Sequence, residues 1–128
     1  MTAPPMLPKR VFQIAGWYGI ILQVPQYFME AKTGEDYPPP INHPEYYYGF
    51  LGVTIAFAIL FLFIAKNPVR YRSMMIPSIL EKISFPPAVF ILYAQGRLHP
   101  VVIIFGIIDL AFALLFLIAY LKTREEKE

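Results

Sequence analysis

The sequence predicts an all-α integral membrane protein. It reads as one transmembrane domain over residues 1–128, a four-helix bundle with both termini in the cytoplasm and a third helix kinked by prolines. Three observations carry this. Of the 128 residues 57% are hydrophobic and 16% charged, with a mean hydropathy of +0.51. One soluble core of this length would not hide that much apolar surface. The apolar residues fall into segments long enough, as helix, to cross a hydrocarbon layer of about 30 Å, which takes ~20 residues. Lys and Arg then gather on one side of the resulting arrangement.

The spans are expected at about 10–29, 45–65, 73–95 and 99–121. In lipid every backbone polar group needs an internal partner, so these segments are helices rather than isolated strands. Lys9 and Arg10 precede the first, giving it the look of a signal peptide. Its end, YFMEAK, lacks a small-residue cleavage site, and MTAPPM carries no myristoylation pattern. Residues 30–44, EAKTGEDYPPPINHP, are acidic and proline-rich and are expected to form a non-helical outer loop. The third span is the most polar, with Ser78, Glu81, Lys82 and three prolines. Pro86 and Pro87 remove helical donors, so this helix is expected to loosen around 82–86, with Ser78 or Ser84 serving the freed carbonyls. GRL at 96–98 makes a tight turn, and the charged KTREEKE tail is expected to fray.

Lys9, Arg10, Lys66, Arg70, Arg72, Lys122, Arg124 and Lys127 lie on one side of a four-span arrangement, and only Lys32 and Arg97 on the other. The positive-inside rule makes the first side cytoplasmic and the chain a multi-pass protein of the inner membrane. The tyrosines at 46–48 and Tyr93 then suit an outer aromatic belt, and Tyr71 and Tyr120 an inner one. The lipid bilayer is thus the first partner. A net charge of +2, without a basic cluster interleaved with aromatics, argues against nucleic acid. With no cysteine, the chain has no disulfide, thiolate metal site or cysteine nucleophile.

Helices in lipid meet where side chains are small. Gly16, Gly19, Gln23 and Gln26 share a stripe on the first span. Glu45, Gly49, Gly52 and Ala56 do so on the second, and Val102, Gly106, Asp109, Ala113 and Tyr120 on the last. These stripes are expected to face the bundle interior, with Gln23 and Gln26 hydrogen-bonding across helices.

Three ionisable residues fall inside spans. Glu81 and Lys82 lie ~12–14 Å past Ser73, and Asp109 ~18 Å before Leu121, at 1.5 Å per residue. Lys82 and Asp109 are therefore within side-chain reach. Each such charge costs about 2.5–3.5 kcal/mol on insertion scales, so pairing is expected. Two acids meet one base, and Glu81 is the expected remainder. It can pair with Arg70 or Arg72, bond to Tyr18, or hold a proton. The network either fixes helix register or forms a ligand or proton site. Trp17, Tyr18 and Thr54 are expected at neighbouring levels and, with Gln23, Gln26 and Glu45, are the candidate ligand contacts.

His43 and His99 fall near the outer surface and are weak candidates for haem or, with Glu45 and Asp36, for a metal. No cofactor is expected. No P-loop, G-x-G-x-x-G, G-x-S-x-G or H-E-x-x-H pattern occurs. PPPINHPEYYYGF is stiff and aromatic, suited to capping the bundle or docking a partner.

The segments NPVRYR at 67–72, ILEK at 79–82 and DLAFALLFLIAYLKTR at 109–124 resemble the small four-span bacterial proteins grouped as DoxX-like. That resemblance covers the second half of the chain and implies a four-helix bundle. The sterol-isomerase and sigma-2-like family is similar in span number and in burying acids around a lipid cavity, but here no His is buried with Glu81 and Asp109. Small multidrug transporters also have four short spans, with an acid on the first that this chain lacks. The functions left open are binding of a hydrophobic small molecule or of a membrane complex, proton-coupled transport, and an enzyme acting on a lipid, sterol or quinone. A homodimer is compatible with all three.

Overall fold

The computed structural model describes residues 6–124, and residues 1–5 and 125–128 lie outside the described part. The MTAPPM start up to Pro5, and Lys127 with the end of the tail, therefore fall outside it. The described residues are mostly helical and contain no strand. The order is α1 (Met6–Gln23), a 3₁₀ turn (Val24–Phe28), α2 (Glu30–Asp36), α3 (Pro44–Lys66), a 3₁₀ turn (Arg72–Met74), α4 (Met75–Ala94) and α5 (Val102–Lys122).

Three helical stretches are long and apolar enough to cross a membrane: Pro44–Lys66, Arg72–Ala94 and Val102–Lys122. Their large apolar side chains stand outward, with Val53 58%, Leu80 61% and Leu114 56% exposed. Exposed apolar surface on this scale marks a membrane protein. The first predicted span differs. Its α-helix begins at Met6, takes in Lys9 and Arg10, and ends at Gln23. Pro25 then sits in the first turn of the 3₁₀ segment that follows, where a missing amide does least harm. The polar ends and the early stop leave α1 shorter in apolar length than the other three long helices.

Two further expectations are corrected. Residues 30–44 are not wholly irregular, because Glu30–Asp36 form α2. Glu30 in its first turn suits the helix dipole, and Lys32 pairs with Asp36 one turn on at 3.1 Å. Pro38 ends it by restricting Tyr37, which takes φ −130°. The third predicted span does not loosen at 82–86: α4 is helical from Met75 through Pro86 and Pro87 to Ala94. Proline's fixed φ suits a helix, so the helical torsions continue, although the amide donors to the Lys82 and Ile83 carbonyls are lost and each ring crowds the preceding turn. Neither serine serves those carbonyls. Ser84 Oγ donates to the Glu81 carbonyl at 3.0 Å, and Ser78 Oγ to the Met74 carbonyl at 2.8 Å.

The ends of the long helices follow from local chemistry. α3 opens on Pro44 and Glu45 and closes on Lys66, just before Pro68. α4 closes on Gly96, whose φ of +70° only glycine adopts freely. The Arg97 amide there donates to the Leu92 carbonyl at 2.9 Å, and the Gly96 amide to the Tyr93 carbonyl at 3.0 Å, the Schellman pattern. At the end of α5 the Tyr120 carbonyl accepts from Arg72 Nε at 3.0 Å, and the same guanidinium lies 3.6 Å from the Tyr120 ring centroid. One side chain thus ties the α3–α4 connection to a helix terminus.

The long helices pair as α1 with α3 and α4 with α5, and contact between α1 and α5 joins the pairs. α3 and α4 touch only sparingly. The dry core lies toward the chain termini. Phe12 stacks on Phe116 at 4.2 Å between centroids, and Phe61 meets both rings edge-on, at 6.0 and 5.0 Å. Ile64, Met75 and Ala119 complete it without exposure. At the opposite end, Tyr47 Oη donates to the Gln26 carbonyl at 2.7 Å and Tyr48 Oη to Glu30 at 3.0 Å. The ring of Tyr37 meets that of His99 at 4.9 Å. The α2 segment is thereby fastened to both helical pairs.

Of the three small-residue stripes, two mark contacts. A Cβ on Gly16 would lie 2.9 Å from the Ala58 carbonyl oxygen, and one on Gly19 2.9 Å from the Ala58 Cβ. One on Gly106 would lie 3.0 Å from Val89. The α3 stripe does not face the interior. Gly49 has nothing within 4 Å, and the buried face of α3 runs instead through Leu51, Ala58, Phe61, Ile64 and Ala65. Close α1–α3 packing therefore rests on α1's glycines. Gly19→Leu is expected to wedge these helices apart and cost about 1–3 kcal/mol, whereas Gly49→Leu is expected to be near neutral. Thermal unfolding of both variants in the same detergent checks this.

Candidate functional site

Above the aromatic core the four long helices enclose a cavity of about 380 Å³. Its walls combine Tyr18, Gly19, Leu22 and Gln23 of α1 with Gln26 of the following turn. Phe50, Val53, Thr54, Ala58 and Phe61 of α3 face Glu81, Lys82, Ser84 and Phe85 of α4. Val102, Phe105 and Asp109 of α5 close the back. Phe50, Val53 and Ser84 are exposed, with Phe50 at 52% and Val53 at 58%. The cavity therefore opens sideways between α3 and α4, where the helices make little contact.

Its floor is the charged cluster. Lys82 is 6% exposed. Its Nζ lies 3.5 Å from Asp109 Oδ1 and 3.7 Å from Glu81 Oε1. Both distances exceed the 2.7–2.9 Å of a tight charge-assisted bond, so the ammonium sits between the carboxylates without being clamped to either. Phe112, Phe61 and Tyr18 surround it, with ring centroids at 5.3, 5.4 and 6.0 Å. These are cation–π distances, and they add to the electrostatic stabilisation of a lysine far from bulk water. Glu81 Oε1 is buried and has no hydrogen-bond partner among the described residues. An orphaned buried acceptor is costly in a protein interior. Arg72 does not relieve it, being committed to Tyr120, and Arg70 lies over the Tyr71 ring.

The candidate residues divide. The structure gathers Glu81, Lys82, Asp109, Tyr18, Gln23, Gln26 and Thr54 around one cavity. The side chains of Gln23 and Gln26 stay local, Gln26 Nε2 donating to Gln23 Oε1 at 2.9 Å and to the Leu22 carbonyl at 3.1 Å, and only the Gln26 backbone carbonyl bonds across helices, to Tyr47. Trp17 lies on the outer face of α1, 55% exposed, and does not line the cavity. Glu45 lies at the exposed start of α3, 3.4 Å from His43 Nδ1. His43 also stacks on Tyr46, whereas His99 accepts the Val101 amide and packs on Tyr37. Among the described residues no three His, Asp, Glu or Cys side chains are grouped to hold a metal.

Five aromatic members of the site are additional to the sequence-derived candidates, and Phe50 precedes Thr54 by four residues. Phe61 follows Thr54 by seven residues, Phe85 follows Glu81 by four, Phe105 precedes Asp109 by four and Phe112 follows it by three. Each lies on the helical face of a polar residue, and that spacing was the available signal.

Comparison with protein-family models, with curated proteins and with solved structures finds no match for this chain.

Lys82 is the only cation between two acids in this cluster. Lys82→Met is expected to destabilise the protein by about 3–5 kcal/mol by leaving two carboxylates facing each other. Adding Asp109→Leu is expected to restore part of that loss. Unfolding of the four proteins of this double-mutant cycle in one detergent measures the coupling.

Proposed function

We propose that this chain is a four-span protein of the inner membrane, with both termini cytoplasmic, that binds a hydrophobic small molecule in the cavity between α3 and α4. The cavity carries this reading: about 380 Å³, largely aromatic and aliphatic, with three convergent ionisable groups at its floor. Small-molecule sites share this design, an apolar volume of roughly 300–1,000 Å³ with a few placed polar groups. Its sideways opening suits a ligand that arrives from the bilayer.

The four-span topology is supported by packing. α1 runs antiparallel to α3, with Phe12 against Phe61 and Gly19 against Ala58. The first turns of α1, the end of α3, Arg72 and the end of α5 therefore gather at one end. Lys9, Arg10, Lys66, Lys122 and Arg124 belong to these segments, as the positive-inside rule requires of a cytoplasmic face.

Proton-coupled transport is the second reading. It is favoured by Glu81 and Asp109 sharing one ammonium beside an open cavity, an arrangement suited to exchanging a proton for a ligand.

Native mass spectrometry of gently extracted protein is expected to show a retained lipid-soluble molecule, and Val53→Trp at the rim is expected to deplete it. A spectrum of the bare chain under conditions that keep it folded would refute binding. A fluorescent reporter fused to the C-terminus is expected to be active inside the cell, and an alkaline phosphatase fusion there inactive. Transport adds substrate-driven proton flux in liposomes, lost in Glu81→Gln.

A further inference from the structure

The cluster at the cavity floor sets two acids against one base. Two carboxylates, Glu81 and Asp109, border the cavity with one ammonium, Lys82, and Glu81 Oε1, 3.7 Å from Lys82 Nζ, is buried without a hydrogen bond among the described residues. Along the floor the order is Asp109, Lys82, Glu81: negative, positive, negative. A fourth group against Glu81 that is positive and donates a hydrogen bond completes the alternation and neutralises the cluster. A neutral donor supplies only the hydrogen bond. An anion meets two carboxylates and finds its only attraction in a lysine already shared between them.

The walls fit a cation with an apolar body. Tyr18, Phe50, Phe61, Phe85 and Phe105 border the same volume, and ring faces attract organic ammonium groups in desolvated sites. The opening at Phe50, Val53 and Ser84 lets an alkyl chain longer than the cavity trail out between α3 and α4. Resting on the cavity-binding reading above, we infer that the ligand class is a lipophilic primary amine. Its ammonium is received by Glu81 and its apolar body by the aromatic walls.

Decylamine, decanol and decanoate have the same tail and differ in head-group charge. Calorimetric titration of each into the full chain in phosphatidylcholine nanodiscs, with empty nanodiscs as the blank, separates binding from partition into lipid. Decylamine is expected to bind roughly tenfold to a hundredfold more tightly than decanol, the range of one charge-assisted hydrogen bond, and decanoate more weakly still. Glu81→Gln is expected to abolish the preference for the amine. Val53→Trp, at an exposed rim position, is expected to weaken decylamine binding by obstructing the opening. Equal binding of the three compounds, a preference unchanged in Glu81→Gln, or decylamine binding indifferent to Val53→Trp overturns the inference. If decanol or decanoate binds and is lost in Val53→Trp, the cavity still binds ligands and only the amine assignment fails. If none binds above the blank, both fail.

Discussion

Lys82 carries a charge within an apolar span, and its neighbours are placed around that fact. A lysine at this depth needs anionic partners, because no bulk water is at hand to solvate it. Glu81 comes from the same helix and Asp109 from the next, at 3.7 and 3.5 Å, with three rings completing the shell. The ion pair joins α4 to α5, the two helices that pack together in the second half of the chain. The rings bring in α1 through Tyr18 and α3 through Phe61. One side chain therefore contacts all four long helices.

That cluster also separates two kinds of interior. On its terminal side Phe12, Phe61 and Phe116 are interlocked and the space is filled. On the other side the helices stand apart and leave the cavity. Within lipid, apolar surface alone does not draw helices together, so association rests on close fit and polar bonds. The aromatic cluster, the α1 glycines against Ala58 and Gly106 against Val89 provide the fit. The bonds of Tyr47 and Tyr48 to the α1–α2 region hold the far end.

Helical content, the three strongest spans and the depth match of Lys82 with Asp109 were legible because each depends on local chemistry or on simple rise per residue. Errors arose where the same residue type serves two purposes. Proline breaks helices by losing a donor, yet its torsion is helical, so Pro86 and Pro87 sit inside an unbroken α4. Small residues mark packing on α1 and α5, but Gly49 and Gly52 lie on an exposed face of α3. Trp17 and Tyr18 are adjacent in sequence and a hundred degrees apart around the helix, so one is outside and the other borders the cavity.

The sequence by itself determined which residues are too apolar for water, which are helical, and which charges must find partners within the spans. These follow from transfer energies and backbone hydrogen bonding, properties of single residues and short windows. Tertiary structure alone decided that α3 and α4 stand apart while α1 bridges α3 and α5. It also decided that the gap lies above Lys82, and that the acid expected to be left over, Glu81, has its buried Oε1 without a hydrogen bond. Those outcomes depend on how four surfaces fit at once, and no periodicity along one helix encodes the shape of the space between it and another.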